Sequence, residues 1–446
     1  MQQILDLHIH SKYSRACSRD LELPNIARTC EVRGIDIVST GDFTHPEWFK
    51  HIKENLEEVG EGVYCLSSRA KRSGVEGSLL PAAAIVLQAG HSADAPVGMT
   101  GENVKFILGT ELSLVKKHLG KTRRIHACVY APSIEVVEKF NKKLEKMGFN
   151  LKSDGRPILG LTIKELLQIM LGVDARMELI PAHAWTPWFA IFGSKSGYDS
   201  LEEAFEELAP KIHAIETGLS SDPLMNWRLS KLDGITLISN SDAHSTAKLG
   251  REANVFEFKN KEEITYTEIF RIINEGDKNK FKYTIEFYPE EGKYYADGCQ
   301  NCKFSCSPKE TKKLKEICPK CKKKMTVGVL SRVDELADRS EKETLKLKNK
   351  IPYKSLIPLP EIIAGVFSCG VKTKKVEKVY GELTKSLGSE FHILLDSSLK
   401  DIEKVSSKEI ASAVDRVRKG NIQIVPGYDG IFGVVNVSEE EKRGVY

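Results

Sequence analysis

Short apolar segments that repeatedly end in histidine or a carboxylate constrain the fold of the first 277 residues most strongly. They alternate with helix-like stretches such as LPNIARTCEVRG at 23–34. This alternation predicts a parallel α/β sheet or a (β/α) barrel. The polar residues that close the apolar segments are His10, Asp42, Glu111, His183, Glu216 and Asp242. Since the C-terminal strand ends of a barrel meet on the face that holds active sites, we expect a polar site there.

The composition is typical of a globular protein, with 41% hydrophobic and 29% charged residues among 446. No stretch approaches the roughly 20 consecutive apolar residues that a membrane helix needs. The N-terminus has no basic region followed by an apolar run, as a signal peptide would. We therefore expect a cytoplasmic protein that does not contact membranes.

Imidazoles and carboxylates recur in patterns that suit a metal site. Alone, the His-x-His pair at 8 and 10 is better explained by two core histidines on one side of a strand. The other fragments change this balance, because six of the eleven histidines fall in such motifs. The candidate ligands are His8, His10, Asp42, His45, Glu111, His126, His183, Asp242 and His244. Mixed nitrogen and oxygen ligands favour zinc, manganese or iron over magnesium.

The spacing Cys299-x2-Cys302-x15-Cys318-x2-Cys321 is typical of a structural zinc ribbon, in which four thiolates fill a closed tetrahedral site. Cys306 is an extra thiol that could replace Cys302. Residues 278–330 carry a net charge of +7, whereas 1–277 carry −5 and 331–446 carry +2. This basic block could neutralise phosphates and give salt-dependent binding, or could be the soluble surface of a zinc-stabilised strut.

The segment after His183, HAWTPWFAIFGSKSG at 183–197, combines aromatic residues with a Gly/Ser-rich turn. Aromatic faces stack unpaired bases, and backbone amides in such a turn can bind phosphate. A loop of this kind suits an enzyme that extrudes a nucleotide from a duplex. The candidate DNA contacts are Trp185, Trp188, Phe189, Ser194, Lys195 and Ser196. The alternative is that the two tryptophans anchor the core.

The ligand motifs, from His8-x-His10 to Asp242-x-His244, resemble those of the PHP (polymerase and histidinol phosphatase) family. The resemblance implies a distorted (β/α)7 barrel that hydrolyses phosphoesters with two or three divalent metals. Zinc is the first choice of metal, with manganese, iron or magnesium as alternatives. Glu111, Asp242 and His244 would carry the catalysis. Cys17 stands where the family usually has aspartate, and Phe43 where it has histidine, so we expect His45 to supply that imidazole.

Longer stretches resemble the endonuclease Q family over nearly the whole chain, namely DLHIHSKYSRACS, STGDFTHPEWF, AHAWTPWF, SDAHS, GVLSRVDELADR and PGYDGIFG. The resemblance implies a PHP phosphoesterase domain at 1–277, a four-cysteine zinc-binding segment at 278–330 and a helical C-terminal domain at 331–446. It implies nicking on the 5′ side of deaminated bases (hypoxanthine, uracil, xanthine) and abasic sites in double- or single-stranded DNA. A sliding clamp is a further expected partner, and a monomer is favoured.

Two other functions stay open at this stage. A small-molecule phosphatase of the histidinol-phosphate type would use the barrel but leave the cysteine segment and its lysines without a role. A non-catalytic DNA-binding module would have a decayed metal site and contain one zinc per chain. PGYDGIFG is a turn by its composition and has no chemical role on sequence grounds.

Overall fold

The computed structural model describes residues 1–67, 101 and 103–437. Residues 438–446, the end of the predicted C-terminal domain, lie outside the described residues. The strands are β1 Gln2–Asp6, β2 Ile37–Ser39, β3 Leu56–Gly60, β4 Val63–Leu66, β5 Lys105–His118, β6 Lys121–Ala131, β7 Ile158–Leu159, β8 Glu178–Pro181, β9 Ala214–Glu216, β10 Thr236–Ile238, β11 Ala253–Glu257, β12 Phe281–Glu286, β13 Asp297–Cys299, β14 Phe304–Cys306, β15 Tyr353–Ser355, β16 Gln423–Val425 and β17 Val434–Asn436.

The described residues also form fifteen α-helices. They are α1 Leu23–Arg33, α2 Pro46–Asn55, α3 Ile134–Lys146, α4 Ile163–Val173, α5 Leu201–Phe205, α6 Pro223–Asn226, α7 Tyr266–Glu275, α8 Pro308–Lys313, α9 Val329–Leu336, α10 Glu341–Thr344, α11 Leu359–Phe367, α12 Lys374–Leu387, α13 Glu390–Leu395, α14 Leu399–Val405 and α15 Lys408–Arg418. Helix α1 ends where predicted, because Gly34 adopts the left-handed conformation (φ 86°) that closes a helix. No helix in the described part of the chain has the length and apolarity to cross a membrane.

The main sheet has the strand order β15-β12-β11-β1-β2-β5-β4-β3 and gives the chain a mixed α/β fold. Its centre is parallel, since β2 pairs in parallel with both β1 and β5. Strands β11 and β12 continue the sheet beyond β1 in antiparallel orientation. The parallel centre places the C-terminal ends of β1 and β2 side by side, which is where the histidine and aspartate motifs follow.

The predicted parallel sheet is found at the centre, but the sheet is not parallel throughout. β5 and β6 form a long antiparallel hairpin, from Leu108 opposite Ala131 to His118 opposite Lys121. The two turn residues, Leu119 and Gly120, both have positive φ (49° and 76°), the backbone that a tight hairpin turn requires. The sequences of β5 and β6 resemble those of parallel strands because both strands are largely buried and apolar.

The C-terminal helices pack on the α/β body and share its hydrophobic core, which includes side chains of α1, α11, α12 and α15. A buried ion pair joins the two parts, with Arg33 Nη1 3.1 Å from Glu390 Oε2. The main sheet also extends past residue 277, since β12 and β15 belong to it. The domain boundaries at 277/278 and 330/331, the closed barrel and the zinc ribbon stay predictions.

Candidate metal centre and its surroundings

Four candidate ligands from distant parts of the chain meet beside the parallel centre of the sheet. They are His8, His10, Glu111 and Asp242, whose ligand atoms all lie within 4.8 Å of one another. A backbone bridge from Ile9 to Ala243 brings the residues after β1 against those after β10. His10 Nε2 is 3.0 Å from Asp242 Oδ1 and 3.3 Å from Glu111 Oε2.

A second cluster uses the other oxygen of Glu111. Its Oε1 atom is 2.8 Å from His126 Nδ1 and 3.1 Å from His183 Nε2. The β5–β6 hairpin creates this arrangement, because it holds Glu111 and His126 on facing strands. Glu111 therefore lies between two groups of imidazoles, as a carboxylate shared by two metals would.

The donor set fits divalent metals, and His8 gives the clearest sign. His8 is buried and turns Nδ1 to Glu216, 3.0 Å from Oε2. Its Nε2 has no hydrogen-bond partner in the described structure, yet faces Asp242 and Glu111 at 3.7 and 3.8 Å. A buried imidazole nitrogen that faces two carboxylates without a hydrogen bond is an arrangement that a cation bound between them would satisfy.

The electrostatics of the cluster are those of a cation site. Although burial lowers it, Asp42 and Asp242 hold the pKa of His10 well above its usual value. Although burial raises it, His126 and Arg156 hold the pKa of Glu111 well below its usual value. The carboxylates therefore stay ionised at neutral pH and supply the negative charge that attracts a metal.

The remaining predicted ligands surround the two clusters without belonging to them. Asp42 Oδ1 is 3.1 Å from His10 Nδ1, and its Oδ2 accepts hydrogen bonds from Ser11 and Ser14, so it orients His10. His45 stacks on Tyr13 with ring centroids 4.3 Å apart. His244 is a third exposed and lies 4.6 Å, ring to ring, from His10. Their metal ligation stays a prediction.

Three residues of the centre have strained backbone. Asp42, His183 and Asp242 adopt positive φ (47°, 29° and 46°), which non-glycine residues rarely do. Each follows the end of a strand, where the chain must turn sharply to aim the side chain at the cluster. Such strain persists at functional sites because the surrounding structure holds it.

Two residues of the centre were missed as site residues. Glu216, at the end of β9, accepts from the His183 amide at 2.7 Å and from Asn240 Nδ2 at 2.9 Å, besides facing His8. Its only sequence signal was its place at a strand end. Arg156 donates to Glu111 Oε2 at 2.7 Å from the loop before β7, and no sequence motif marks it.

Glu216 also lies near His8 and Cys128, and the ligand atoms of these three residues are within 4.8 Å of one another. Burial raises the pKa of the Cys128 thiol to about 12, so it stays protonated. The Glu216 oxygens are already occupied by hydrogen-bond donors. We therefore assign Glu216 an orienting role.

The aromatic loop after His183 divides into buried and exposed parts. Trp185 is buried and donates to Asn226 Oδ1 at 2.7 Å, which is the core-anchoring position. The Phe189 ring lies 4.6 Å from the His126 ring, and Ser196 is buried. Trp188 is 41% exposed, and Ser194 and Lys195 are also exposed, so these three are the accessible members of the predicted DNA-contact set.

The four cysteines predicted to bind zinc lie together, with all Sγ atoms within 4.8 Å of one another. Cys299 Sγ is 3.8 Å from Cys321 Sγ. Backbone amides of Cys321 and Lys320 lower the pKa of Cys318 to about 7, which favours a thiolate. Cys306 is outside the cluster, and its Sγ atom lies 3.2 Å from Thr311 Oγ1.

Comparison with known proteins supports this architecture over the full chain. The lesion-specific endonuclease PfuEndoQ of Pyrococcus furiosus has a similar structure (TM-score 0.81), at 31% identity, covering 100% of this chain and 98% of that one. An endonuclease Q complexed with a 27-mer duplex carrying an abasic lesion at the active site gives a TM-score of 0.79 at 31% identity, covering 100% of this chain and 99% of that one.

The chain belongs to the endonuclease Q family. The predicted family is thereby confirmed, together with a mixed α/β fold and a helical C-terminal region.

Further relatives are similar over parts of the chain. The family model for the MJ0043 C-terminal domain matches residues 358–421. The MJ0043 protein of Methanocaldococcus jannaschii is 32% identical over 263 residues, which are 58% of this chain but only 32% of that protein's length. The YqxK protein of Bacillus subtilis is 28% identical over 341 residues, 76% of this chain and 80% of YqxK.

Proposed function

We infer that this protein is a DNA endonuclease that acts on damaged DNA and hydrolyses the phosphodiester backbone. The observation that carries this is its full-length similarity to a lesion-specific endonuclease, at 31% identity. The relative bound to an abasic duplex supports damaged duplex DNA as the substrate. A small-molecule phosphatase would leave the cysteine segment and its nine lysines at 299–324 without a role.

We assign a PHP-type metal site to the two clusters that share Glu111. His8, His10, Glu111 and Asp242 would hold one divalent metal, and Glu111, His126 and His183 a second. Asp42, His45 and His244 remain the candidates for a third. Zinc suits these ligands best, with manganese, iron or magnesium as alternatives, and the four cysteines would hold a structural zinc. Divalent ions bound there would neutralise the phosphodiester and supply activated water.

The groups around the clusters determine which ring nitrogen of His183 and of His244 carries a proton. His183 Nδ1 donates to Thr186 Oγ1 at 3.1 Å, because that hydroxyl itself donates to the Trp188 carbonyl. This leaves the Nε2 lone pair of His183 facing Glu111. His244 Nδ1 donates to the Asp242 carbonyl at 2.8 Å, which leaves Nε2 free to accept a proton on the open side of the centre.

We propose nicking on the 5′ side of uracil, hypoxanthine, xanthine and abasic sites. The accessible residues Trp188, Ser194 and Lys195 would contact the extruded nucleotide, with Phe189 between them and the second cluster. The lysine-rich cysteine segment would bind the backbone with a strong salt dependence. A monomer and a sliding-clamp contact complete the proposal.

The test is a nicking assay with metal-loaded protein on duplexes that carry uracil, hypoxanthine, xanthine, an abasic site or no lesion. We expect nicks 5′ to the lesions and none in the undamaged duplex. Asp242→Ala should reduce nicking to background, since Asp242 lies 3.0 Å from His10 in the first cluster. Asp396→Ala is the matched control, because its side chain is 69% exposed.

Two results would contradict the proposal. One is phosphomonoester turnover far faster than nicking, which would favour a phosphatase. The other is a metal content of one zinc per chain with no nicking of any duplex, which would favour a non-catalytic DNA-binding module.

A further inference from the structure

The PGYDGIFG segment at 426–433 forms the turn between β16 and β17 and is fastened to the chain before the cysteines. Gly427 donates to the Glu290 carbonyl at 2.8 Å, and Gly433 to the Glu291 carbonyl at 3.0 Å. A Cβ atom at Gly433 would collide with the Glu290 carbonyl, so the two backbones can meet only at a glycine. The turn is therefore held against residues 290 and 291 by a specific backbone contact.

The turn is also tied to the cysteine cluster. Asp429 Oδ2 accepts from the backbone amide of Gln300 at 2.6 Å, and Gln300 lies between Cys299 and Cys302. Asp429 Oδ1 accepts from Thr326 Oγ1, beyond the last cysteine of the cluster. The cysteine cluster and the turn thus hold each other in place. The role of PGYDGIFG is therefore to fix the position of this part of the chain.

What this rigid turn presents to solvent is aromatic. Phe432 is 68% exposed, and Lys293 Nζ lies 5.8 Å from its ring centroid. The same Nζ lies 5.5 Å from the Tyr294 ring, which in turn contacts Trp188 edge-on with centroids 5.7 Å apart. We call Trp188, Tyr294 and Phe432 the aromatic ridge.

The ridge begins at the candidate metal centre. Thr186 joins His183 to the Trp188 carbonyl through its hydroxyl, so Trp188 is positioned by a residue of the second cluster. Arg332 donates to the Phe192 carbonyl at 3.1 Å and holds the loop from the other side. The contacts from Trp188 to Tyr294 and from Lys293 to both Tyr294 and Phe432 therefore link the centre to Phe432.

A large exposed aromatic side chain on a fixed turn indicates a binding surface. Two occupants are conceivable, since Val425 and Val434 of the same hairpin are 65% and 60% exposed and could meet a protein. The charges favour nucleic acid, because Lys293 lies between the rings and the lysines of 303–324 belong to the adjacent segment. Alternating rings and cations are typical of surfaces that bind single-stranded nucleic acid.

We propose that the aromatic ridge stacks bases of the DNA beside the cleavage site, with Phe432 holding a base that has lost its pairing partner. This inference rests on the proposed endonuclease function and deepens it, since it names the part of the substrate that the ridge recognises. Stacking on Phe432 favours DNA that is already opened at a lesion over a fully paired duplex. The ridge is thus a source of selectivity separate from the pocket for the lesion itself.

The experiment compares Phe432→Ala with Val434→Ala, an apolar truncation on the same exposed hairpin. Affinity is measured by fluorescence anisotropy in the full-length Asp242→Ala background, on an abasic duplex, a single strand and a fully paired duplex. We expect Phe432→Ala to weaken binding of the abasic duplex and the single strand about 5- to 150-fold. Val434→Ala should stay within about twofold, and Phe432→Trp should retain wild-type affinity because it keeps a stacking face.

The salt dependence gives a second readout. Phe432→Ala removes no charge, so the slope of log affinity against log salt should be unchanged, whereas Lys293→Ala should reduce it. Equal losses on paired and opened DNA, or Phe432→Ala behaving like Val434→Ala, would overturn the proposal. A wild-type dimer that Phe432→Ala dissociates would assign the ridge to a second copy of the chain and overturn it too. If wild-type protein nicks no damaged duplex, the failure is that of the proposed function.

Discussion

At the scale of single residues, the candidate centre depends on carboxylates that do not themselves need to bind metal. Glu216 receives three donors, from His8 Nδ1, the His183 amide and Asn240 Nδ2. It thereby fixes the orientation of one histidine from each cluster. Mutating residues that orient ligands in this way typically lowers metal affinity or activity about 10- to 100-fold.

We expect Glu216→Gln to lower metal affinity and nicking rate about 10- to 100-fold. Glutamine has one acceptor oxygen for three donors, and its amide would oppose at least one of them. Metal content by mass spectrometry and nicking of an abasic duplex would measure the loss. Glu178→Gln is the matched control, since Glu178 is another largely buried strand glutamate but faces Asn274. Equal effects of both substitutions would remove the orienting role.

At the scale of elements, the two ends of the short strand β8 have different roles, one in the fold and one in the candidate site. It pairs antiparallel with β6, so that Tyr130 lies opposite Glu178 and Ala127 opposite Pro181. Its C-terminal end leads to His183. At its other end, burial raises the pKa of Glu178 to about 7.

This pKa gives the strand a predictable pH dependence. Folded Glu178 stays protonated up to about pH 7, whereas the unfolded chain releases the proton near its ordinary value of 4.5. The unfolded state is therefore increasingly favoured between these values, and the penalty is complete above pH 7. Glu178→Gln should gain stability relative to wild type over this range, by up to about 3 kcal/mol. Denaturant unfolding at pH 4.5 and pH 8 tests this; an equal difference at both would contradict it.

At the scale of the whole molecule, the C-terminal helices and the α/β body form one continuous structure. Arg33 of α1 and Glu390 of α13 are both almost fully buried, with side-chain exposures of 4% and 3%. Glu390 also accepts from the Leu359 amide and the Tyr380 hydroxyl, both at 2.9 Å. Gly34 approaches Ser389 so closely that a Cβ atom there would collide with its side chain.

We expect Glu390→Gln to destabilise the protein by about 3–5 kcal/mol, because it removes the carboxylate that balances the buried Arg33 charge. Glu138→Gln, which breaks a half-exposed pair with Lys53 (38% and 40% exposed), should cost about 1 kcal/mol at most. Thermal unfolding monitored by circular dichroism would measure both. Similar small losses in the two variants would mean that the C-terminal helices are held by apolar packing alone.

Much of the molecule follows from local patterns in the sequence. The end of helix α1 at Gly34 and the pairing of cysteines within each CxxC motif depend on residues that are close in the chain. In the structure, Gly34 closes the helix and the four cysteines of the two motifs lie together. The family and a DNA endonuclease were also predicted, and the full-length relatives confirm them. The domain boundaries and the role of each site residue stay predictions.

The tertiary structure decided which strands pair in which direction and which distant side chains meet. Apolar strands look the same whether a buried neighbour runs parallel or antiparallel, so the β5–β6 hairpin could not be told from a crossover. Arg156 reaches Glu111 from 45 positions away, and nothing in its local sequence indicates that ion pair.

The sequence by itself determined which residue types could bind metal and DNA, since that chemistry belongs to the side chains. Only the tertiary structure decided that Glu111 is shared by two clusters, that Glu216 orients a histidine of each, and that Phe432 lies exposed beside Lys293, which also faces Tyr294. The physical reason is that these relations depend on distances between residues far apart in the chain, which packing of the whole molecule sets.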